Sequence, residues 1–295
     1  MKLKGMRYMY HILVAGGDER NIYLAKLLSE ENCKVSVCGF DNSVNFEPNI
    51  ERVSDIKKSS SMSDLIILPL PVTKNNIILN TPYSSESIYI SDILNYAKKG
   101  SVITGGRVNE GLASSVIDYS KRDDFSYLNS VPTAEGAIEA AMKESKKTIA
   151  GSVCMVTGFG KCAESLAHLL KAINAKVHIY ARSIKDLSHA SSLGFESYHI
   201  SEIETQISRY DLIFNSVPFG IFNKECTDKI NKNSVFIDIA SAPGGIDCDV
   251  DKENINYHFL PGLPGKYSPY TAAEIIKKVI LTIVRESGKD ALRWL

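Results

Sequence analysis

The stretch Val153-Cys154-Met155-Val156-Thr157-Gly158-Phe159-Gly160-Lys161-Cys162-Ala163 sets a G-x-G-x-x-A turn between an apolar run and a helical stretch over 164–173. A further apolar run arrives at Lys176. In such a unit the first glycine permits the tight turn, the second lets the backbone approach a pyrophosphate, and the alanine lets helix and strand pack closely. The helix N-terminus adds unpaired N–H groups and the positive end of its dipole. The pattern predicts a dinucleotide held at Gly158, Phe159, Gly160, Lys161 and Cys162; a plain tight turn in a cofactor-free fold is the alternative. An NAD site carries an acid at the end of the next strand, for the ribose 2′-hydroxyl. Here Arg182, Ser183 and Lys185 stand there instead. They suit a 2′-phosphate through charge-assisted bonds and favour NADP over NAD, the bland alternative being a solvated helix start. Asn215-Ser216-Val217-Pro218 and Ala240-Ser241-Ala242-Pro243-Gly244-Gly245 follow two more apolar runs. Strand carboxyl ends hold the ligand in a doubly wound sheet. Asn215, Ser216, Val217, Pro218 and Ser241 therefore suit the nicotinamide end, although ordinary turns need the same residue types.

The first half repeats the strand-glycine-helix opening at Ala15-Gly16-Gly17-Asp18-Glu19-Arg20, without the third small residue. Asp41 could mimic an NAD acid, but the incomplete fingerprint argues against a second nucleotide. A substrate carboxylate facing a helix N-terminus and Arg20 is the better use, with Arg107 after Gly105-Gly106 as a second cation. Either arginine alone also reads as an ordinary surface charge. His11, His168, His178, His189, His199 and His258 are scattered, and none forms an obvious pair with a carboxylate for general-base work. No G-x-S-x-G elbow or P-loop appears, which argues against acyl or phosphoryl transfer.

These residues need strands and helices in alternation. Apolar runs at 10–15, 34–39, 64–68 and 101–104, then at 152–157, 176–181, 211–215, 234–239 and 256–260, read as strands buried on both faces. Asp64-Leu65-Ile66-Ile67 with Pro71 echoes Asp211-Leu212-Ile213-Phe214 with Pro218, and Ser101-Val102-Ile103-Thr104 echoes Ser234-Val235-Phe236-Ile237. The pattern predicts an α/β chain with two doubly wound parallel-sheet, Rossmann-like domains, joined by crossing helices around a cleft. Residues 1–130 form the substrate-side domain, completed by a C-terminal helix in 270–295, and residues 131–269 form the NADP-binding domain. Thr133 reads as the N-cap of the helix that carries the chain between sheets. Trp294, the lone tryptophan, reads as packing or tail.

The chain has 295 residues, with 34 Lys and Arg against 34 Asp and Glu, so the basic surplus expected for nucleic acid or an anionic membrane is missing. No apolar run approaches the ~20 residues of a membrane helix, and the run at 11–15 is too short for a signal-peptide core. The six cysteines show no C-x-x-C pair or metal spacing and read as reduced thiols of a cytoplasmic protein, with no metal.

Asn129-Ser130-Val131-Pro132-Thr133-Ala134-Glu135-Gly136-Ala137-Ile138, with Pro261-Gly262-Leu263-Pro264-Gly265 and Thr271-Ala272-Ala273, resembles the dipicolinate synthase A family. Gly16-Gly17-Asp18, Asp238-Ile239-Ala240-Ser241 and Pro243-Gly244-Gly245 agree, so the resemblance runs from about His11 to Val284. Ala163 in place of a third glycine and Gly106-Arg107 depart from commoner versions. The resemblance implies a fold like the two-domain D-2-hydroxyacid and alanine dehydrogenases. It also implies an oxidoreductase of endospore formers, in the mother-cell cytoplasm, on a branch of the lysine pathway. With dipicolinate synthase B, a flavoprotein-like partner, it would oxidise dihydrodipicolinate to dipicolinate, NADP accepting the hydride.

That chemistry matches the missing His–carboxylate pair. Forming a pyridine makes hydride removal downhill, and the departing proton beside an imine is already acidic. What remains is to orient a dicarboxylate against the nicotinamide ring. Ser130, Thr133 and Glu135 on the interdomain helix, with Arg20 and Arg107, are the candidates. The helix N-terminus at 133–136 and the hydroxyls of Ser130 and Thr133 would take one carboxylate, and Arg20 or Arg107 the other. Glu135 would assist proton removal or cap the first helical turn. Two other readings stay open: an NAD(P)-dependent dehydrogenase of a small 2-oxo or 2-hydroxy acid, favoured by a His–carboxylate pair in the cleft, and a non-catalytic nucleotide-binding protein beside a catalytic partner. A homo-oligomer also stays open.

Overall fold

The computed structural model describes residues 10–288; Trp294 and the start of the chain before Tyr10 lie outside the described residues. It divides into two units, one reaching Ser126 and resuming at Pro269, the other spanning Tyr127–Ser268. The first is built from β1 (His11–Ala15), α1 (Glu19–Ser29), β2 (Lys34–Cys38), β3 (Ile50–Arg52), α2 (Ile56–Met62), β4 (Leu65–Ile67), α3 (Ile90–Leu94), β5 (Val102–Gly105) and β6 (Ile117–Asp118). α4 (Asp123–Glu144) leads into β7 (Val153–Thr157), α5 (Lys161–Ala172), β8 (Lys176–Ala181), α6 (Ile184–Ser192), β9 (Glu196–His199), α7 (Ile203–Gln206), β10 (Leu212–Asn215), α8 (Lys224–Thr227), β11 (Val235–Asp238), β12 (Asn256–Phe259) and α9 (Leu263–Tyr267). α10 (Pro269–Glu286) returns to the first unit, where Lys277 Nζ holds Glu31 at 2.5 Å and Leu27 O at 2.9 Å on α1.

The sheets run β3-β2-β1-β4-β5-β6 and β12-β11-β10-β7-β8-β9, every pairing parallel. Read from β9, the second has the same winding as the first: third, second, first, fourth, fifth, sixth strand. The two Asp-led echoes are the two fourth strands. Asp64 Oδ2 accepts the N–H that opens β1, at 3.1 Å from His11, and Asp211 Oδ2 accepts the N–H that opens β7, at 2.9 Å from Val153. Lys98 and Lys147 complete the two carboxylates at 2.5 and 2.6 Å. The repeat is therefore one hydrogen-bonding device used twice. Ile12, Leu13 and Val14 of β1 and Cys154, Met155 and Val156 of β7 are fully buried, as central parallel strands between helices require.

The outer strands β3, β6 and β9 are absent from the apolar pattern because each carries a single large apolar residue. β12, the remaining edge strand, enters it through Tyr257 and Phe259 but is as exposed as β9 and not buried on both faces. The start of α4 also differs from expectation. Thr133 lies inside a helix that begins at Asp123, with Pro132 in its interior, so it caps nothing. Pro132 has no N–H and blocks one bond of the helical ladder. The carbonyl left without its helical donor is that of Leu128; on either side of it Thr133 Oγ1 donates to Asn129 O at 2.6 Å and Ser130 Oγ to Tyr127 O at 2.7 Å. Ala134, Ala137, Ala140 and Ala141 face the core of the second unit, and a Cβ on Gly136 would lie 3.1 Å from Leu263 Cβ. The small residues of this string let α9 pack close to α4.

Candidate functional site

The glycine turn after β7 joins the strand to α5 tightly and stays open at its second glycine. Gly158 has φ +81°, a left-handed conformation that excludes most side chains, and its N–H donates to Tyr180 O at 2.8 Å. A Cβ there would stand 2.7 Å from Ser216 Oγ. Gly160 is different. Its backbone is extended (φ −82°, ψ −177°), a Cβ would meet nothing within 4 Å, and it caps α5 without any side-chain hydrogen bond. Open space therefore stands over the first turn of α5, whose N–H groups have no intrahelical acceptors. Ala163 is fully buried against the sheet. Phe159 lends the turn only its backbone, because its ring packs on Phe195 and His189, 6.0 and 5.4 Å between centroids. The Lys161 ammonium lies 4.3 Å over the Tyr127 ring. Burial raises the Cys162 thiol pKa, a hydrogen bond with Thr133 opposing it, so this half-buried sulfur resists ionisation.

β8 ends in buried Ala181, and Arg182, Ser183 and Lys185 follow it, all exposed. Ser183 is the N-cap of α6 yet makes no capping bond with its hydroxyl. Two cations, a spare hydroxyl and a helix start without a carboxylate cap gather at the place where the ribose of a dinucleotide lies in this type of fold.

At the carboxyl ends of β7, β10 and β11 lies a buried polar network. Asn215 Oδ1 accepts from Thr157 Oγ1 at 2.6 Å and from Val217 N at 3.0 Å. Its Nδ2 donates to Asp238 Oδ1 at 2.8 Å and to Val217 O at 2.9 Å. Asp238 also accepts from Ala240 N at 3.1 Å, Gly245 N at 2.8 Å and Tyr257 OH at 2.9 Å. Asn215, expected to touch cofactor, has thus spent its amide on the scaffold. It shapes the turns carrying Ser216, Val217, Pro218 and Ser241 rather than presenting a donor. Ser216 Oγ donates to Thr157 O at 2.8 Å, and Pro218 and Ser241 are exposed. Thr157, Asp238 and Gly245 stood within the sequence motifs without being given this role, and Tyr257 was passed over. Thr157 and Asp238 carried a signal, a polar residue closing an otherwise apolar strand; Gly245 and Tyr257 did not.

The expected substrate ligands fare unequally. The 133–136 segment offers no helix N-terminus, and the hydroxyls of Ser130 and Thr133 are engaged, Ser130 also with Ser165 Oγ at 2.7 Å across to α5. They are packing groups. Glu135 is exposed in mid-helix and cannot be a first-turn cap. Arg20 is clamped: Nε and Nη2 bind Asp18 at 2.9 and 2.7 Å, and Nη2 also binds Leu70 O at 2.7 Å. Its fork is occupied, so bidentate capture of a substrate carboxylate by Arg20 does not fit. Arg107 is exposed and holds φ +51°, an uncommon and strained conformation for a residue other than glycine, with its N–H donated to Ser120 Oγ at 2.9 Å.

The first unit's own glycine turn is filled. Gly17 N donates to Asn80 O at 2.9 Å, and a Cβ on Gly16 or on Gly39 would sit 2.8 or 2.9 Å from the Thr81 methyl. Asp41 accepts from Ser85 N at 3.0 Å and donates its own N–H to Tyr83 O at 2.8 Å. Residues 80–85 occupy the groove a second dinucleotide would need. Histidine–carboxylate pairs do form, contrary to expectation, because their partners come from different elements: His178–Glu196 at 3.6 Å, His189–Glu164 at 3.9 Å and His258–Glu144 at 3.7 Å. Burial and then Arg209 lower the His178 pKa; its partner opens β9, at the sheet end opposite Gly158.

Comparison with known proteins agrees with the two-sheet fold. Residues 11–121 match the family model of the N-terminal domain of dipicolinate synthase A, and residues 127–244 match the D-isomer specific 2-hydroxyacid dehydrogenase, NAD binding domain. Dipicolinate synthase A of Bacillus subtilis (strain 168) is 29% identical over 291 residues, 94% of this chain and 98% of that protein. The crystal structure of dipicolinate synthase A from Bacillus halodurans has TM-score 0.86 at 29% identity, covering 95% of this chain and 99% of its own. The crystal structure of the Bacillus subtilis protein has TM-score 0.85 at 28% identity, covering 97% and 99%. The second unit is a nicotinamide-dinucleotide domain of the dehydrogenase type. Over nearly its whole length, in sequence and in fold, the chain resembles dipicolinate synthase A, joining that family's N-terminal domain to a dehydrogenase NAD binding domain.

Proposed function

We propose that the chain is the nucleotide-binding oxidoreductase component of a dipicolinate synthase, oxidising dihydrodipicolinate with NADP beside a flavoprotein-like second component in the cytoplasm of a sporulating cell. One observation carries the reading: the open turn at Gly160 above the uncapped start of α5. Gly158, Phe159, Gly160, Lys161 and Cys162 would hold the pyrophosphate through backbone N–H groups. Arg182, Lys185 and the Ser183 hydroxyl would take the 2′-phosphate, the first acid after the strand being Asp186 in the first turn of α6. Ser216, Val217, Pro218 and Ser241 would border the nicotinamide on turns fixed by the Asn215–Asp238 network.

The bound dinucleotide supplies the hydride acceptor, and the dihydropyridine, losing one hydride and one proton, becomes aromatic. The work left to the protein is orientation. Arg107, exposed after the glycine pair of the first unit, takes a substrate carboxylate. Glu135, exposed on α4, receives the proton, which beside an imine needs no strong base. Calorimetric titration of the purified chain tests the reading. NADP should bind at one site per chain and more tightly than NAD; a chain that binds neither removes it.

A further inference from the structure

Among the described residues, three besides glycine hold a left-handed backbone: Asn76, Asn174 and Arg107. Asparagine tolerates that conformation, arginine disfavours it, and glycine would adopt it without strain. An arginine kept there is over-determined by its surroundings, and such outliers gather where a side chain has work to do.

The surroundings form a clamp with two jaws. On one side the turn is pressed onto residues 69–72. Cβ atoms on Gly105 and Gly106 would each lie 2.4 Å from a side-chain carbon, of Val72 and of Leu70. Gly106 N donates to Pro69 O at 3.1 Å, and Gly106 O accepts from Val72 N at 3.0 Å. The other jaw comes from the end of β6, where Asp118 pairs with Gly105 across the ladder. Ser120 Oγ accepts from Arg107 N at 2.9 Å, and Asp118 Oδ2 accepts from Val108 N at 3.0 Å. Asp118 Oδ1 fixes Ser120 in turn, accepting from its N–H at 2.9 Å and from its hydroxyl at 2.6 Å. The N–H groups of Gly106, Arg107 and Val108 therefore each have a fixed acceptor, and one carboxylate is devoted to a single strained turn.

Resting on the assignment of Arg107 to a substrate carboxylate, we propose that Asp118 and Ser120 are positioning residues for that contact: their hydrogen bonds hold the turn that presents the exposed guanidinium. A guanidinium meets a carboxylate as a planar fork, which rewards a fixed origin. A backbone already held in one conformation leaves less to be ordered when the carboxylate binds.

The test titrates pyridine-2,6-dicarboxylate into the whole chain saturated with NADP, by calorimetry, with thermal unfolding in parallel. Arg107→Ala should weaken the dicarboxylate by about tenfold or more. Arg107→Gly should lose the same binding yet melt above Arg107→Ala, since glycine takes φ +51° without strain. Ser120→Ala should weaken the dicarboxylate by about fivefold, and Ser120→Thr, which keeps the hydroxyl, should restore it. On the Arg107→Ala background, Ser120→Ala should cost less than about twofold, because no guanidinium is left to position. A merely structural hydroxyl would cost the same on both backgrounds. NADP affinity should be unchanged throughout, which separates this turn from the dinucleotide site. If the parent binds no dicarboxylate, or Arg107→Ala binds it like the parent, the assignment of Arg107 fails and this proposal with it. If Arg107→Ala loses binding but Ser120→Ala does not, or loses it equally on both backgrounds, the positioning role alone is overturned.

Discussion

Gly160→Ala should separate cofactor binding from folding, and the contrast with Gly158→Ala gives the test its force. At Gly160 the backbone, φ −82° and ψ −177°, already suits alanine, and the new Cβ would meet nothing within 4 Å. The loss is that of a glycine cap replaced by alanine, at most about 1 kcal/mol. In the complex the same methyl would stand where the pyrophosphate approaches the chain. Losing one or two charge-assisted bonds at ~1.5–3 kcal/mol each gives about 3 kcal/mol, roughly a hundredfold in affinity. Gly158→Ala should do the reverse work. Forcing a Cβ to φ +81° costs roughly 1–2 kcal/mol before any clash. The methyl, 2.7 Å from Ser216 Oγ, would also push that hydroxyl off Thr157 O. Thermal unfolding of the free chain and calorimetry with NADP read the two effects apart. If Gly160→Ala binds NADP like the parent, the dinucleotide does not lie on this turn.

Three other outcomes follow from the same geometry. Arg182→Ala should weaken NADP by about 1.5 kcal/mol, near tenfold, and leave NAD unchanged in parallel calorimetry, since only NADP carries the phosphate; equal losses would mean a general charge effect. Gly245→Ala would drive a Cβ into the Asn215 amide and break its bonds to Asp238 and Thr157, lowering stability by on the order of 3 kcal/mol in a denaturant titration; an unchanged midpoint would deny the network its structural role. Burial raises the Asp211 pKa, but the bonds from Lys147 Nζ and Val153 N outweigh it and the net shift is downward. A carboxylate depressed by folding stabilises above its unfolded pKa of ~4 and loses that contribution as pH falls through the folded value. The Tm gap between parent and Asp211→Asn should be full at neutral pH and close in acid; a constant gap would refute the assignment.

Much of the fold was legible because central parallel strands must be apolar on both faces, and Asp64 and Asp211 marked the same strand in each sheet. The edge strands β3, β6 and β9 were illegible because each holds one large apolar residue, whereas β12, as exposed as β9, announced itself through Tyr257 and Phe259. The cofactor turn could be read locally, since glycine spacing and backbone conformation belong to one segment. The substrate ligands could not. Ser130, Thr133 and Arg20 have the right chemistry, but their partners Ser165, Asn129, Asp18 and Leu70 are found only after folding, and these consume the donors. Thr133 misled most directly. A threonine before a helical run ordinarily marks an N-cap, and here the helix already begins at Asp123 and runs through Pro132.

The central claim is that this chain's own nucleotide site accepts the hydride. The direct measurement is turnover of dihydrodipicolinate with NADP and the flavoprotein-like partner, following reduced nicotinamide by absorbance and dipicolinate by chromatography. One reduced nicotinamide should appear for each dipicolinate formed, and both should vanish together in Gly160→Ala. Dipicolinate formed at an undiminished rate by the Gly160→Ala complex, or by the partner alone, would contradict the account.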